Sequence, residues 1–453
     1  MGSAMTDGTP RGAQSPTDVR PSWSRSRGPV ARRIVQPLQS FLETETSSAI
    51  LVLAAVGVAL LWANGPYAGS YDRFWTTELV VRVGDRALSY DLRGWVSDGL
   101  MTLFFLVVGL EIKRELLTGE LRESRAALLP VAAALGGMLV PALLYLAFTA
   151  GTPAAPGFGI AMPTDVVFAL SVLALASPLP PGLKALLLTL AIVDDLASIV
   201  VVAFTYSRSV DVVPLSVALV VLAIYWLLWR IDVRAIVVYL GLGLVVWTAL
   251  AQAGVSPTLA GVALAFLTPA VAFQRPRAVS EEAHRVADHT VDDPVPPDAD
   301  AAHWLYLATL SKEAVSPLAR AEAVLLPWAS YVVVPLFVLA FAGIDLSRST
   351  LIDAVTSRVG VAILVSRVVG KPLGIVLAGI AAMWVGAKLP PDVRRRHLLG
   401  LGVVAGIPFT VSLYIAEVSL PVALIPTATA SIIVAAAVAG ALGSVVLSAR
   451  ARH

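Results

Sequence analysis

The sequence predicts an all-α integral membrane protein with twelve transmembrane helices, and three observations lead there. The 453-residue chain is 57% hydrophobic and 14% charged, with a mean hydropathy of +0.80, whereas soluble domains are roughly one quarter charged. So apolar a chain cannot screen itself from water by folding alone, and lipid must be part of its solvent. Beyond residue 45 the apolar residues fall into twelve blocks, and a bilayer needs roughly 20 such residues per helix. The Lys and Arg residues between blocks collect in alternate connections, as the cytoplasmic bias of short loops demands.

Met1 to about Glu45 is rich in Ser, Pro, Gly and Arg and has no apolar run. It reads as a disordered cytoplasmic tail and not as a cleavable signal peptide. The blocks are Ser48–Asn64, Trp95–Leu116, Ala127–Phe148, Ile160–Ala176, Leu183–Tyr206, Pro214–Leu228, Ala235–Ala253, Thr258–Phe273, Leu325–Ala342, Val359–Trp384, His397–Ile415 and Ala423–Leu447. The fourth is short for a crossing. With Arg25, Arg27, Arg32 and Arg33 of the tail inside, alternation also puts Lys113, Arg114, Lys184, Arg230, Arg234, Lys388 and Arg394 inside, and the connections after blocks three, seven and eleven hold no Lys or Arg. Both termini then face the cytoplasm, and residues 46–450 form one membrane domain.

Two connections stand out. Over Leu79–Tyr90 a β-branched run leads into Gly84-Asp85, a signal for a small periplasmic β-hairpin. Residues 274–320 are charged and proline-rich, with Asp292, Asp293, Asp298 and Asp300. They read as a cytoplasmic loop with a helix near its end. Its histidines, His284, His289 and His303, are either pH-responsive or simply solvated. The absence of cysteine excludes disulfides and thiolate metal sites, and a net charge of +2 gives no reason to expect a nucleic-acid partner.

An ionisable group in the bilayer core costs roughly 2.5–3.5 kcal/mol even on lenient scales. Asp165 stands in MPTDVVFAL, Asp194 and Asp195 in LAIVDDLASIV, Lys371 in VVGKPLGI, and Asp98, Glu111 and Glu115 lie on the second block. Adjacent carboxylates in an apolar helix repel each other and lose hydration, and both effects favour capture of a compensating cation. One such carboxylate holds a proton or a hard cation such as sodium, which takes oxygen ligands, but not both at once. The alternative for Asp194-Asp195 is a structural ion-paired doublet, for which core cations are scarce. Pro163 interrupts block four, and Gly406 and Pro408 interrupt block eleven. Breaks at corresponding places suggest inverted-topology repeats, spans 3–5 and 10–12, with helices 4 and 11 interrupted; the alternative is proline kinks without a repeat. Asp165 would then offset the positive helix ends and Lys371 the negative ones, and Lys371 beside Asp194 would form a pair that one proton can break. Arg367, one turn before Lys371, either reaches a carboxylate of the second block or snorkels to an interface. Glu111 and Glu115 form a cation-attracting funnel or a solvated helix end paired with Lys113 and Arg114. Asp98 reads as a helix cap or packing partner.

The segments DGLMTLFFLVVGLEIKREL, PTDVVFAL, LAIVDDLASIV, PTLAGV, SPLARAEAVLLPWASYVVVPLF, GKPLGI and GIPFTVSLYIA together resemble the NhaA-type sodium/proton antiporters, over about Leu51 to Leu447. The resemblance implies a multi-pass transporter of a bacterial inner membrane, not an enzyme, with no cofactor besides its cargo of Na+, Li+ and H+. It implies electrogenic exchange by alternating access, serving pH and sodium homeostasis. Asp195 would be the principal Na+-binding carboxylate, with Asp194 carrying a proton beside it, Lys371 pairing Asp194, and Thr164 and Asp165 at the crossing of the broken helices, Thr164 joining the two aspartates as an ion ligand. Glu111, Glu115, Glu322 and Asp98 would form the cytoplasmic funnel and pH-responsive set, and the hairpin 79–90 the homodimer contact. Ser256, Ala319, Ala323 and Phe341 depart from the family pattern and bear on the pH set-point. An intramembrane aspartyl protease pairing Asp165 with Asp195 and a passive cation channel are the rival functions. Peptide cleavage would mark the first, and flux without a counter-gradient the second.

Overall fold

Prolines, glycines and hydroxyl caps cut the apolar runs into helices. The structure, a computed structural model, describes residues 47–83, 86–119, 124–175, 180–205, 210–292 and 297–450. The chain divides into residues 1–47 and a unit from Ser48 to His453. The tail with its arginines, Gly84, Asp85, Tyr206 and Asp293 lie outside the described residues, as do the side chains of His289, Asp292, Asp298 and Asp300.

Helix α1 (Ser47–Asn64) and the short α2 (Ala68–Trp75) precede two antiparallel strands, β1 (Glu78–Val83) and β2 (Arg86–Asp91), paired from Glu78↔Asp91 to Val83↔Arg86. Asp91 then caps α3 (Leu92–Thr118), its Oδ1 accepting the Gly94 N–H at 2.7 Å. Next come α4 (Ser124–Thr149), a 3-10 turn (Ala155–Ala161) and a non-helical stretch through Asp165 that opens into α5 (Val166–Leu175). The chain continues through α6 (Pro181–Thr205), α7 (Val212–Arg230), α8 (Ile236–Gln252) and the nine-residue α9 (Leu259–Leu267).

Residues 274–320 hold the helix expected near their end and more helix before it. They hold α10 (Pro276–Asp292) and α11 (Pro297–Glu313), and α12 (Pro317–Phe341) begins within them. Each of the three helices opens on a proline, which suits the first turn because its missing N–H would have no partner there. Val279 and Val286, seven residues apart, are buried on one face of α10, and Arg277–Glu281 and Arg285–Glu282 pair along it. Proline and charge suggested a loop where they mark helix starts and a solvated face. Ser316 Oγ caps α12 by accepting the Ala319 N–H at 3.2 Å, so this helix begins eight residues before the expected Leu325.

The remainder is α13 (Arg348–Thr356), α14 (Arg358–Trp384), α15 (Arg395–Ala405), α16 (Thr410–Ser419) and α17 (Ile425–Arg450). Among the described residues nine segments are long and apolar enough to cross a membrane, and α15 with α16, bent by 51°, makes a tenth. A π turn over Ser366–Gly370 lies just before Pro372 in α14, where proline withdraws one N–H from the ladder. Helices α4 and α14 approach backbone to backbone. A Cβ on Gly374 would lie 2.1 Å from Gly136 O, and one on Gly136 would lie 2.3 Å from Gly374 O. This contact sets the depth at which α14 presents Arg367 and Lys371 to the core.

Candidate ion-binding site

The non-helical stretch before α5 and the break between α15 and α16 lie against each other. The Asp165 N–H donates to Ile407 O at 3.2 Å, and the Ser412 hydroxyl donates to Ile160 O at 3.0 Å. Gly406 lets the second break sit against α14, because a Cβ there would meet Arg367 O at 2.7 Å. Two helices start at this crossing, and Asp165 caps both. Its Oδ1 accepts the Phe168 N–H at 3.3 Å, and its Oδ2 accepts the Thr410 N–H at 3.1 Å and the Thr410 hydroxyl at 3.0 Å. An anion at two converging positive helix ends is the arrangement the macrodipole favours.

One negative end, that of the 3-10 turn, meets a cation. Lys371 Nζ donates to Met162 O, just past the 3-10 turn, and at 2.5 Å to Asp194 Oδ2. Both side chains of this ion pair are fully buried. The Thr164 hydroxyl lies 2.6 Å from Asp194 Oδ2 and 3.0 Å from Ala405 O, so its single proton serves one of them at a time. Asp194 Oδ1 and Asp195 Oδ1 are buried without a hydrogen-bond partner among the described residues. Asp195 turns the other way around α6 and, half-buried, lines a cavity of about 250 Å³ with Thr164, Asp165, Glu111 and Thr410.

From that cavity a chain of acids leads along α3. Glu111 lines the same cavity as Asp195, and Glu115 follows it about one turn later on α3. Buried Glu322 pairs with Arg114 Nη1 at 2.7 Å. Lys113 turns to backbone carbonyls instead. It donates to Phe266 O and Thr268 O at 2.6 and 2.5 Å, at the C-terminal end of α9. Asp98 is not part of this group. Thirteen residues before Glu111 on one helix, it sits roughly 20 Å away by helical rise. There its carbonyl accepts the Trp247 indole N–H at 2.8 Å.

At the positions that depart from the family pattern, Ser256 Oγ is 2.9 Å from Tyr414 OH and 2.7 Å from Thr258 Oγ1. Phe341 stacks on Phe337 at 4.7 Å, Ala319 supplies the N–H that Ser316 caps, and Ala323 is exposed. Sequence reasoning missed Thr410. Its signal was its place two residues after Pro408, where a resuming helix needs its first N–H groups satisfied. Replacing Asp165 by Asn should destabilise the fold by about 1–3 kcal/mol, since the amide must turn an N–H toward an N–H donor. A lowered melting temperature in detergent would show this, and unaltered melting would refute the double-cap role.

Ten candidate spans among the described residues, around a cluster of buried carboxylates and cations, mark a multi-pass membrane protein. The family profile described as Na+/H+ antiporter 1 matches residues 39–447. The chain belongs to that family. It is 42% identical over 406 residues to Na(+)/H(+) antiporter NhaA 2 of Sorangium cellulosum, covering 87% of this chain and 85% of that protein. It is 40% identical over 417 residues to Na(+)/H(+) antiporter NhaA of Oleidesulfovibrio alaskensis, covering 90% and 92%. With Na(+)/H(+) antiporter NhaA 3 of Frankia alni the identity is 41% over 419 residues, covering 92% and 89%.

Proposed function

We propose that this chain exchanges cytoplasmic Na+ (or Li+) for external H+ across a bacterial inner membrane, electrogenically and by alternating access. The observation that carries the reading is Asp195, which has a buried unpartnered oxygen and lines the cavity, next to Asp194, held by Lys371. A sodium ion at that wall finds hard oxygens on Asp195, Asp194 and Thr164. Once there it competes with Lys371 for Asp194 and with a proton for Asp195, so sodium and protons displace each other. Glu111, Glu115 and Glu322 form the cytoplasmic approach and respond to pH; Asp98 serves the other end of α3. The rival protease needs a free Asp165, whose two oxygens already accept three hydrogen-bond donors.

The helices α8 and α9, with the ten longer segments, bring our span count to twelve, and we take the breaks at 162–165 and 406–409 as those of inverted repeats. The meeting of their ends supports this. Both termini face the cytoplasm, and two copies join through the hairpin 79–90, where exposed Leu79, Val80 and Val81 support a contact. The test is a pH dye in proteoliposomes holding a proton gradient. Sodium or lithium should dequench it, faster when potassium with valinomycin clamps the membrane potential. Sealed vesicles of folded protein that show no response to sodium would refute exchange, and sodium flux without proton movement would favour a channel.

A further inference from the structure

Arg367 is fully buried on α14, in the π turn that precedes Lys371. A guanidinium stays charged throughout the range of conditions a protein meets, and a buried charge with idle donors is costly. Its Nη1 donates to Ala161 O at 2.9 Å, while Nε and Nη2 are buried without partners among the described residues, as is the neighbouring Ser366 hydroxyl. The same core holds two unmet acceptors, Asp194 Oδ1 and Asp195 Oδ1. Arg367 reaches the Ala161 carbonyl, and Lys371 reaches the next carbonyl, Met162, and Asp194 with it. Consecutive Cα atoms are about 3.8 Å apart, and the charges of Arg367 and Asp194 interact.

Building on the exchange reading, we propose that Arg367 is a second partner of Asp194, closing its idle Nε–H and Nη2–H on the carboxylate when Lys371 lets go. Two parallel donors in a fixed fork match a carboxylate edge, which a single ammonium cannot do. The aspartate is then never left unpaired while the ion comes and goes, and the guanidinium competes with sodium for it and favours release. Arg367 is a positioning residue here, acting through Asp194.

Four proteins test this beside the wild type: Arg367→Gln, which keeps a donor for Ala161 O, Arg367→Lys, Lys371→Ala, and the double variant Arg367→Gln/Lys371→Ala. Melting in detergent should show that either charge alone holds Asp194, so each single loss is mild and the double loss exceeds their sum. In proteoliposomes Arg367→Gln should lower both the half-saturating sodium concentration and the maximal rate at least about threefold, because the competitor is gone, while Arg367→Lys, which keeps the charge and loses the fork, should fall between wild type and Arg367→Gln. A residue needed only for packing would not tighten sodium binding. Additive melting effects overturn the proposal whatever the transport data, and so does an unchanged or raised half-saturating sodium in folded Arg367→Gln. If wild type moved no protons with sodium, the exchange reading would fall, and the melting cycle would still decide the Arg367–Asp194 pairing.

Discussion

Replacing Asp195 by Asn is expected to abolish sodium-dependent proton movement in proteoliposomes, a loss of roughly a hundredfold or more, while leaving the protein folded. The amide has nearly the same shape, so packing on α6 persists. It has no charge to balance sodium and no proton to give up, and each factor of ten in affinity corresponds to about 1.4 kcal/mol, less than one well-placed buried charge contributes. Asp195 is the carboxylate that combines an unpartnered oxygen with a place on the cavity wall. Asp194 is already engaged by Lys371 and Thr164, and Asp165 by two helix starts. Exchange within about fivefold of wild type in folded Asp195→Asn would move the site elsewhere.

A methyl group on Gly374 is expected to lower the melting temperature more than the same change at any lipid-facing glycine. The added carbon would stand 2.1 Å from Gly136 O and 2.7 Å from its carbonyl carbon. Both are backbone atoms of α4, which cannot rotate aside as a side chain can. Overpacking in a core usually costs about 1–3 kcal/mol, and a backbone clash belongs at or beyond the top of that range. Gly57 is the control. A Cβ there meets nothing within 4 Å, and Ala is preferred to Gly inside a helix by about 1 kcal/mol. Gly57→Ala should therefore melt at or above the wild-type temperature and Gly374→Ala well below it. Equal melting would mean that α4 and α14 are not held at the spacing that sets the depth of Lys371.

What the amino-acid order discloses by itself follows from what burial makes conspicuous. Asp165, Asp194, Asp195 and Lys371 announce themselves because a charge inside an apolar run is expensive, and all four lie at the crossing or beside it. The small hairpin was legible because a two-residue turn signal is local. Relations that depend on two distant breaks meeting were not. Thr410 looks like any helix-start threonine until Asp165, 245 residues away, comes within 3.0 Å of its hydroxyl. Arg367 carried no pattern that points to Ala161. Asp98 and Glu111 share an apolar block, which hides that they face opposite ends of it. In α10 and α11 local composition misled, since the prolines that suggested irregular chain sit at first turns.

Asp165 ties the start of α5 to the start of α16 through one carboxylate. The two interrupted segments are thereby riveted together, and neither can act as a separate flap. Under the proposed alternating access, the displacement that opens the cavity first to one side and then to the other would carry that rivet bodily.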